Sequence, residues 1–234
     1  MINTKYRSKE EEIMDDFDMS GETLIKTLDI IAKINSVLGG NMLTLNGVKK
    51  LCKDEPKEKV ISIIDLGCGN GDMLRAIAKL GRKQGRKFDL IGVDANQTTI
   101  DYAIELSKEY PEIRYLKQDI LTDEFKKLSY DISLFTLFLH HFSDKEIANL
   151  LPIIQDRTKL GLVINDLHRH KLAYYLFKII TLFINNKMVK NDGLVSILRG
   201  FKRKELENFA KNLSGKSTIT WKWAFRYQWL IKHH

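Results

Sequence analysis

The run Ile61-Ser62-Ile63-Ile64-Asp65-Leu66-Gly67-Cys68-Gly69-Asn70-Gly71-Asp72 constrains this chain more than any other part of it. β-Branched apolar residues end in an acid, and glycines then stand at every second position. A short apolar run entering tight glycines reads as a buried parallel strand that feeds a helix N-terminus. Glycine permits left-handed backbone and lets a ligand approach the main chain closely. The turn is therefore a candidate nucleotide cradle. Two common nucleotides fit it poorly. A dinucleotide fingerprint needs a glycine three residues after its second, whereas position 72 is Asp, which would repel a pyrophosphate. A P-loop needs Gly-Lys-Ser/Thr after four spacer residues, and no lysine follows this turn.

The downstream chain continues the same architecture. Leu90-Ile91-Gly92-Val93-Asp94 is a second buried strand ending in an acid, spaced from the turn by one helix over about 73–85. An acid at that strand end can accept both hydroxyls of a ribose. Residues 113–120, 130–135 and 160–166 read as the third, fourth and fifth strands. Thr218-Ile219-Thr220-Trp221-Lys222-Trp223 and Tyr227-Gln228-Trp229-Leu230-Ile231 read as a final pair around Ala224-Phe225-Arg226. All three tryptophans fall there at alternating positions, which predicts packing on a sheet face. Arg226, at the break, is expected as a solvated turn residue or as the partner of an acidic or phenolate substrate.

The pattern Asp65-x-Gly67-x-Gly69-x-Gly71 resembles the first motif of class I S-adenosylmethionine (SAM)-dependent methyltransferases. SAM has no phosphate, and its amine and sulfonium tolerate acids near the turn. The resemblance runs from about residue 60 to the C-terminus. It implies an α/β, Rossmann-like, doubly wound sheet of seven mostly parallel strands closed by an antiparallel hairpin. It implies SAM as cofactor, held by Asp65, Gly67, Cys68, Gly69, Gly71, Asp94, Ala95, Asp119 and Ile120. In the family an acid at the place of Asp119 meets the adenine amino group, and the following apolar residue packs on the ring.

Two helical regions flank or interrupt this core. In residues 1–58, Ile13 with Phe17, then Leu24, Leu28, Ile31 and Leu38, recur at helical spacing. Ser20 offers a helix start, Gly39-Gly40-Asn41 a break, and Leu45, Val48 and Leu51 a further short helix. These helices either cap the site as a lid or pad the sheet; the domain division expected is a helical lid over 1–58 and a catalytic domain over 59–234. After the fifth strand, Asp166-Leu167-His168-Arg169-His170 leads into an apolar, aromatic helix over 172–184, part of an insertion over about 168–200. It would form a greasy pocket, with Tyr174, Tyr175 or Phe177 as a wall, or pack in the core. Its basic neighbours Lys171, Lys178 and Lys187 also allow transient docking on a membrane surface.

Transfer of methyl to a protonated hydroxyl needs a base, and histidine suits that task near neutral pH. His140 and His141 follow the fourth strand, and His168 and His170 follow the fifth. His140 and His168 are the candidate bases. Leu139-His140-His141-Phe142-Ser143-Asp144 resembles the matching segment of quinone-biosynthesis C-methyltransferases and of plant-type phenol O-methyltransferases, where the histidine at the place of His140 is the base. The segments 164–170 and 192–199 resemble bacterial enzymes of phenolic lipid or polyketide pathways. Amino-group methyltransferases acting on bases carry Asn/Asp-Pro-Pro-Tyr/Phe, and this chain has only Pro56, Pro111 and Pro152. The expected acceptor is thus the oxygen or ring carbon of a small apolar aromatic compound, with Tyr174, Tyr175 and Arg226 in contact. The alternatives are a quinone-type C-methyltransferase at the membrane surface and an RNA methyltransferase.

Bulk properties are compatible with these readings. The 234 residues suit one domain with an appendage. The net charge of +8 hints at an acidic partner, but the basic residues are scattered. Arg199, Lys202, Arg203 and Lys204 read as a solvated helix face in preference to a nucleic-acid footprint. Cys52 and Cys68 lack zinc spacing, and no metal is expected. The polar, acid-rich first twenty residues carry no signal-peptide pattern, so a cytoplasmic chain is expected. The oligomeric state is left open.

Overall fold

In the computed structural model, which describes residues 2–122, 125 and 129–233, five parallel strands and a hairpin form one sheet. The strands are β1 (Ile61–Leu66), β2 (Phe88–Asp94), β3 (Ile113–Lys117), β4 (Tyr130–Thr136), β5 (Thr158–Leu167), β6 (Lys216–Lys222) and β7 (Arg226–Lys232). Their order is β3-β2-β1-β4-β5-β7-β6, with β7 antiparallel to both neighbours. The helices are α1 (Glu22–Val37), α2 (Gly40–Leu51), α3 (Asp72–Gln84), α4 (Gln97–Leu106), α5 (Asp144–Asp156), α6 (Lys171–Ile180), α7 (Lys187–Arg199) and α8 (Arg203–Ala210). The seven-stranded, Rossmann-like fold expected from the sequence is the fold observed.

The central strands are apolar on both faces because helices cover both. Successive side chains of β1 alternate between two clusters. Ile61 and Ile63 pack with Val48 and Leu51 of α2 and with Leu74 and Ile77 of α3. Ile64 and Leu66 pack with Ile147 and Leu150 of α5 and with Leu206 of α8. Gly71 and Gly85, both left-handed, bound α3, and Arg82 and Lys83 sit in its last turn. Ser143 and Glu146 cap α5 reciprocally. The strand order reverses between β1 and β4, so ligands are expected above that gap, at the carboxyl edge.

Several expectations are corrected. No helix joins Ile13 to Phe17: only a single turn, Ile13–Asp15, forms. The Asp192 carboxylate accepts from the backbone of Ile13 and Met14 and pins that turn to α7. β3 stops at Lys117, and Asp119 lies beyond it, its carboxylate accepting from the Leu121 backbone. The apolar helix after β5 ends at Ile180 and continues only as a short turn, Thr181–Phe183. Of the three tryptophans, Trp229 alone is buried; Trp221 lies on the edge strand and Trp223 in the turn, and both are exposed. α2 belongs to the sheet's packing, since Val48 and Leu51 are core residues.

Candidate active site

A cavity of about 1100 Å³ lies over the carboxyl edge, between the glycine turn and the helices α1, α6 and α7. The three glycines of the turn have different causes. A Cβ at Gly67 would strike the Phe138 ring at 2.2 Å, and one at Gly71 would strike the Tyr115 hydroxyl at 2.0 Å. These two allow close packing. At Gly69 a Cβ would meet only Leu28, at 3.7 Å, and φ is +52°. Gly69 therefore presents bare backbone to open space. Gly71 does not line the cavity, whereas Gly67, Cys68 and Gly69 do.

Acids gather around this turn. The Asp94 carboxylate accepts from the backbone N–H of Gly69 at 3.2 Å and of Asn96 at 3.1 Å. Burial raises its pKa. Asp65 is fully buried, and its Oδ1 has no hydrogen-bond partner among the described residues. Burial, then Asp72 and Asp94, push its pKa well above the carboxylate range. Three mutually repelling carboxyls suit a ligand that brings positive charge and oppose a pyrophosphate. Ala95, Asp119 and Ile120 also line this end.

His140 stands at the other side. It occupies a short turn after β4, Leu139–His141, and is 2 % exposed. Its Nδ1 lies 2.7 Å from Oδ1 of Asp166 at the end of β5, and its backbone N–H reaches Oδ2. A charged carboxylate can only accept, so Nδ1 carries the proton and a neutral ring has its lone pair on Nε2. Nε2 has no hydrogen-bond partner among the described residues and lies 3.4 Å from Oε1 of Glu12. Burial opposes a charged ring here, but Asp166 and Glu12 outweigh it and raise the pKa to about 9. Burial likewise opposes a charged Glu12, and His141 and His140 outweigh it and lower its pKa.

This cluster reaches far along the chain. His141 Nδ1 lies 2.6 Å from Asp15, and Asp15 also pairs with Arg199 at 2.5 Å. Arg199 and Arg7 donate to the His140 carbonyl at 3.2 and 2.8 Å. Arg199 is thus a buried clamp on the histidine turn, unlike the solvated residue expected. Glu12, Asp15 and Arg7 were not singled out in the sequence; they sit in a polar stretch with no local motif. Among the described residues, Glu12, His140 and His141 could also hold a metal ion.

His168 is placed differently. It lines the cavity and packs edge-on to Tyr227, with ring centroids 5.0 Å apart. The Trp221 indole donates to its Nδ1 at 3.1 Å, so the neutral ring carries its proton on Nε2. Burial, then Lys202, His170 and Arg169, lower its pKa to about 4.

Arg226 is 2 % exposed and lines the cavity, which corrects its reading as a solvated turn residue. Its Nε and Nη1 have no hydrogen-bond partner among the described residues, and neither has Oδ1 of nearby Asn35. Burial lowers its pKa to about 10. Tyr174 and Tyr175 do not line the cavity. Tyr175 faces solvent, and Tyr174 packs edge-on against it. α6 lines the cavity with Ala173, Leu176, Phe177, Ile179 and Ile180. Gly193 of α7 makes room for Phe177, whose ring a Cβ there would strike at 2.3 Å.

Residues 63–161 match the family model for a methyltransferase domain. No curated protein matches the chain. Among solved structures, the plantazolicin methyltransferase BpumL in complex with S-adenosylhomocysteine (SAH) is 18 % identical, with a TM-score of 0.67. The alignment covers 89 % of this chain and 90 % of that one. Magnesium protoporphyrin IX methyltransferase from Synechocystis PCC 6803, with bound SAM, is 14 % identical over 92 % of this chain and 86 % of its own, with a TM-score of 0.54. The CurJ carbon methyltransferase is 12 % identical over 81 % and 53 %, with a TM-score of 0.61. At these identities the likeness is one of fold.

Proposed function

We propose that this chain, which is a SAM-dependent methyltransferase, transfers methyl to the oxygen of a small apolar aromatic acceptor that carries an ionisable hydroxyl. One observation carries the reading. A single cavity joins an acid-rich glycine turn to largely apolar walls, with Nε2 of His140 beside it, facing Glu12 at 3.4 Å.

The residues present fit the cofactor. Gly69 leaves room for a ligand against its backbone, and the unpartnered Oδ1 of buried Asp65 is an acceptor for an ammonium. Asp94 would take ribose hydroxyls, and Asp119 with Ile120 the adenine end. When bound, SAM supplies an electrophilic methyl carbon on a sulfonium. The protein then has to hold an acceptor oxygen in line and free it of its proton. His140 Nε2 takes that proton, and Asp166 stabilises the resulting imidazolium. In the structure Glu12 faces Nε2 and favours the ring's protonated form. The acceptor hydroxyl displaces Glu12, which removes one of the two carboxylates that hold the ring charged. Within the N-terminal segment 1–58, we assign the turn that carries Glu12 and Asp15 the role of lid, because those two acids close on the histidines, while α2 packs on the sheet. Arg226 would hold an anionic group of the acceptor, and Phe177 with Ile180 its apolar body.

His168 is the weaker base because its neutral ring offers an N–H where a lone pair is needed. A small-molecule acceptor is preferred over RNA because α1 and α6 line the cavity with apolar side chains, Leu24, Leu28 and Ile31 with Phe177 and Ile180. Calorimetry with SAM tests the cofactor end. Asp94→Ala should weaken binding by roughly 1–3 kcal/mol, and Gly69→Val should abolish it. A folded Gly69→Val protein that binds SAM normally would remove the turn from the site. Mass spectrometry of a phenolic acceptor panel tests the other end: a gain of one methyl on oxygen supports the reading, and transfer to carbon or to RNA alone contradicts it.

A further inference from the structure

Residues 171–190, Lys-Leu-Ala-Tyr-Tyr-Leu-Phe-Lys-Ile-Ile-Thr-Leu-Phe-Ile-Asn-Asn-Lys-Met-Val-Lys, contain four lysines and no acid. A surface helix ordinarily turns a polar face to water and its apolar face to the core. α6 turns Lys171 and Lys178 to water, but much of its apolar face is exposed as well. Ala173, Phe177 and Ile180 face the cavity, while Leu172, Leu176 and Ile179, about 100° round the helix, and Tyr175 beside them form an exposed stripe. The turn that follows extends the stripe with Leu182 and Phe183, which are 75 % and 87 % exposed. Six large apolar side chains in one contiguous row are more than a monomer in water ordinarily leaves uncovered.

The stripe meets the cavity. Leu176 and Ile179 are exposed and also line it, so they form its rim. Trp223, 65 % exposed, lines it as well. Its neighbour Phe225 stacks on His170, the residue that caps the start of α6. Tryptophan with its ring at an apolar edge suits a water–lipid boundary. Lys178 and Lys187 are exposed, and neither pairs with an acid among the described residues. No helix among the described residues is long and apolar enough to cross a membrane.

We infer that the α6 face, Leu172 to Phe183 with Trp223, lies on the surface of an anionic bilayer and opens the cavity toward it. The helix lies in the interface, with its apolar row in the acyl boundary and its lysines at the headgroups. A second copy of the chain is the other occupant that the row could take. It is disfavoured because it would shut the rim and set like-charged lysines against each other. The inference deepens the proposed function by assigning the acceptor a lipid-phase source, but its test needs no acceptor. A wrong acceptor class would therefore leave the result standing.

The test is co-sedimentation of the full chain with vesicles of phosphatidylcholine, with and without phosphatidylglycerol, alongside light scattering for oligomeric state. The protein should sediment with the anionic vesicles, and added salt should weaken that binding. The double variant Leu182→Asp, Phe183→Asp should fold, since both side chains are exposed, and should lose at least about tenfold in vesicle affinity. Lys178→Glu and Lys187→Glu should each cost about fivefold on anionic vesicles. The inference is overturned if the chain stays in the supernatant with both vesicle types. It is equally overturned if the folded double variant sediments as the wild type does. A stable dimer that the double variant splits, without vesicle binding, would assign the face to a second copy.

Discussion

The loops after β4 and β5 each bring a histidine to the same cavity, yet the protein treats the two rings in opposite ways. His140 lies between two carboxylates, and its pKa rises to about 9. His168 lies among aromatics, with Lys202, His170 and Arg169 as its charged neighbours, and its pKa falls to about 4. Both are withdrawn from water, which by itself disfavours the charged ring in each case. The partners decide the outcome. The difference teaches that strand-end position brings a histidine to the site but does not make it a base. The second requirement is an acceptor on Nδ1: His140 has Asp166 there and His141 has Asp15, whereas Nδ1 of His168 accepts from Trp221.

The largest effect that could break this contrast is on turnover. His140→Ala should lower kcat by about 10²–10⁴-fold, the usual range for a lost general base. SAM affinity should stay near that of the wild type, and raising the pH toward the acceptor's own pKa should partly restore the rate. A variant that keeps its rate on the true acceptor would end the distinction between the two loops.

A smaller effect sharpens it. Glu12 helps to hold His140 protonated, so Glu12→Gln should move the pH midpoint of kcat/KM, which reports the free enzyme, downward from about 9. An unchanged midpoint would leave Asp166 as the sole cause of the raised pKa and would remove Glu12 from the lid's action.

The smallest effects belong to His168 and to stability. His168→Ala should change kcat by less than about threefold and cost about 1 kcal/mol through the lost Trp221 hydrogen bond. Its pH signature has a definite sign. The folded pKa of His168 lies below 6.5, so its contribution to stability is present above pH 6.5 and is lost as pH falls toward 4. The folded pKa of His140 lies above 6.5, so its contribution is full below pH 6.5 and is lost as pH rises through 9. Denaturation across pH should show the acid-side loss flatten in His168→Ala and the alkaline-side loss flatten in His140→Ala.

The same contrast shows what could be read from the sequence. The glycine turn, Asp94, the strand order and the positions of both histidines follow from local patterns: apolar runs, glycine spacing and acids at strand ends. The partners of the histidines follow from chain segments far apart. Arg7 lies 133 residues from His140, and Arg199 lies 59 away. Glu12 belongs to a run of acids that looks like any solvated stretch. Arg226 beside a turn signal looks exposed, and only the closure of β7 against β5, with the start of α2 beside it, buries it. On α6, composition marked an apolar helix, and Lys171 and Lys178, seven residues apart, mark its solvent face. Tyr174 and Tyr175 fall on that side, away from the cavity that Phe177 lines.

The most direct test of the account is a nuclear magnetic resonance titration of the imidazole nitrogens in the folded protein, with His140→Ala and His168→Ala used to assign the two rings. The account predicts that His140 titrates near 9 with its proton held on Nδ1. It predicts that His168 stays neutral down to about 4 with its proton on Nε2. Two rings titrating together near 6.5, or His168 titrating above His140, would contradict it.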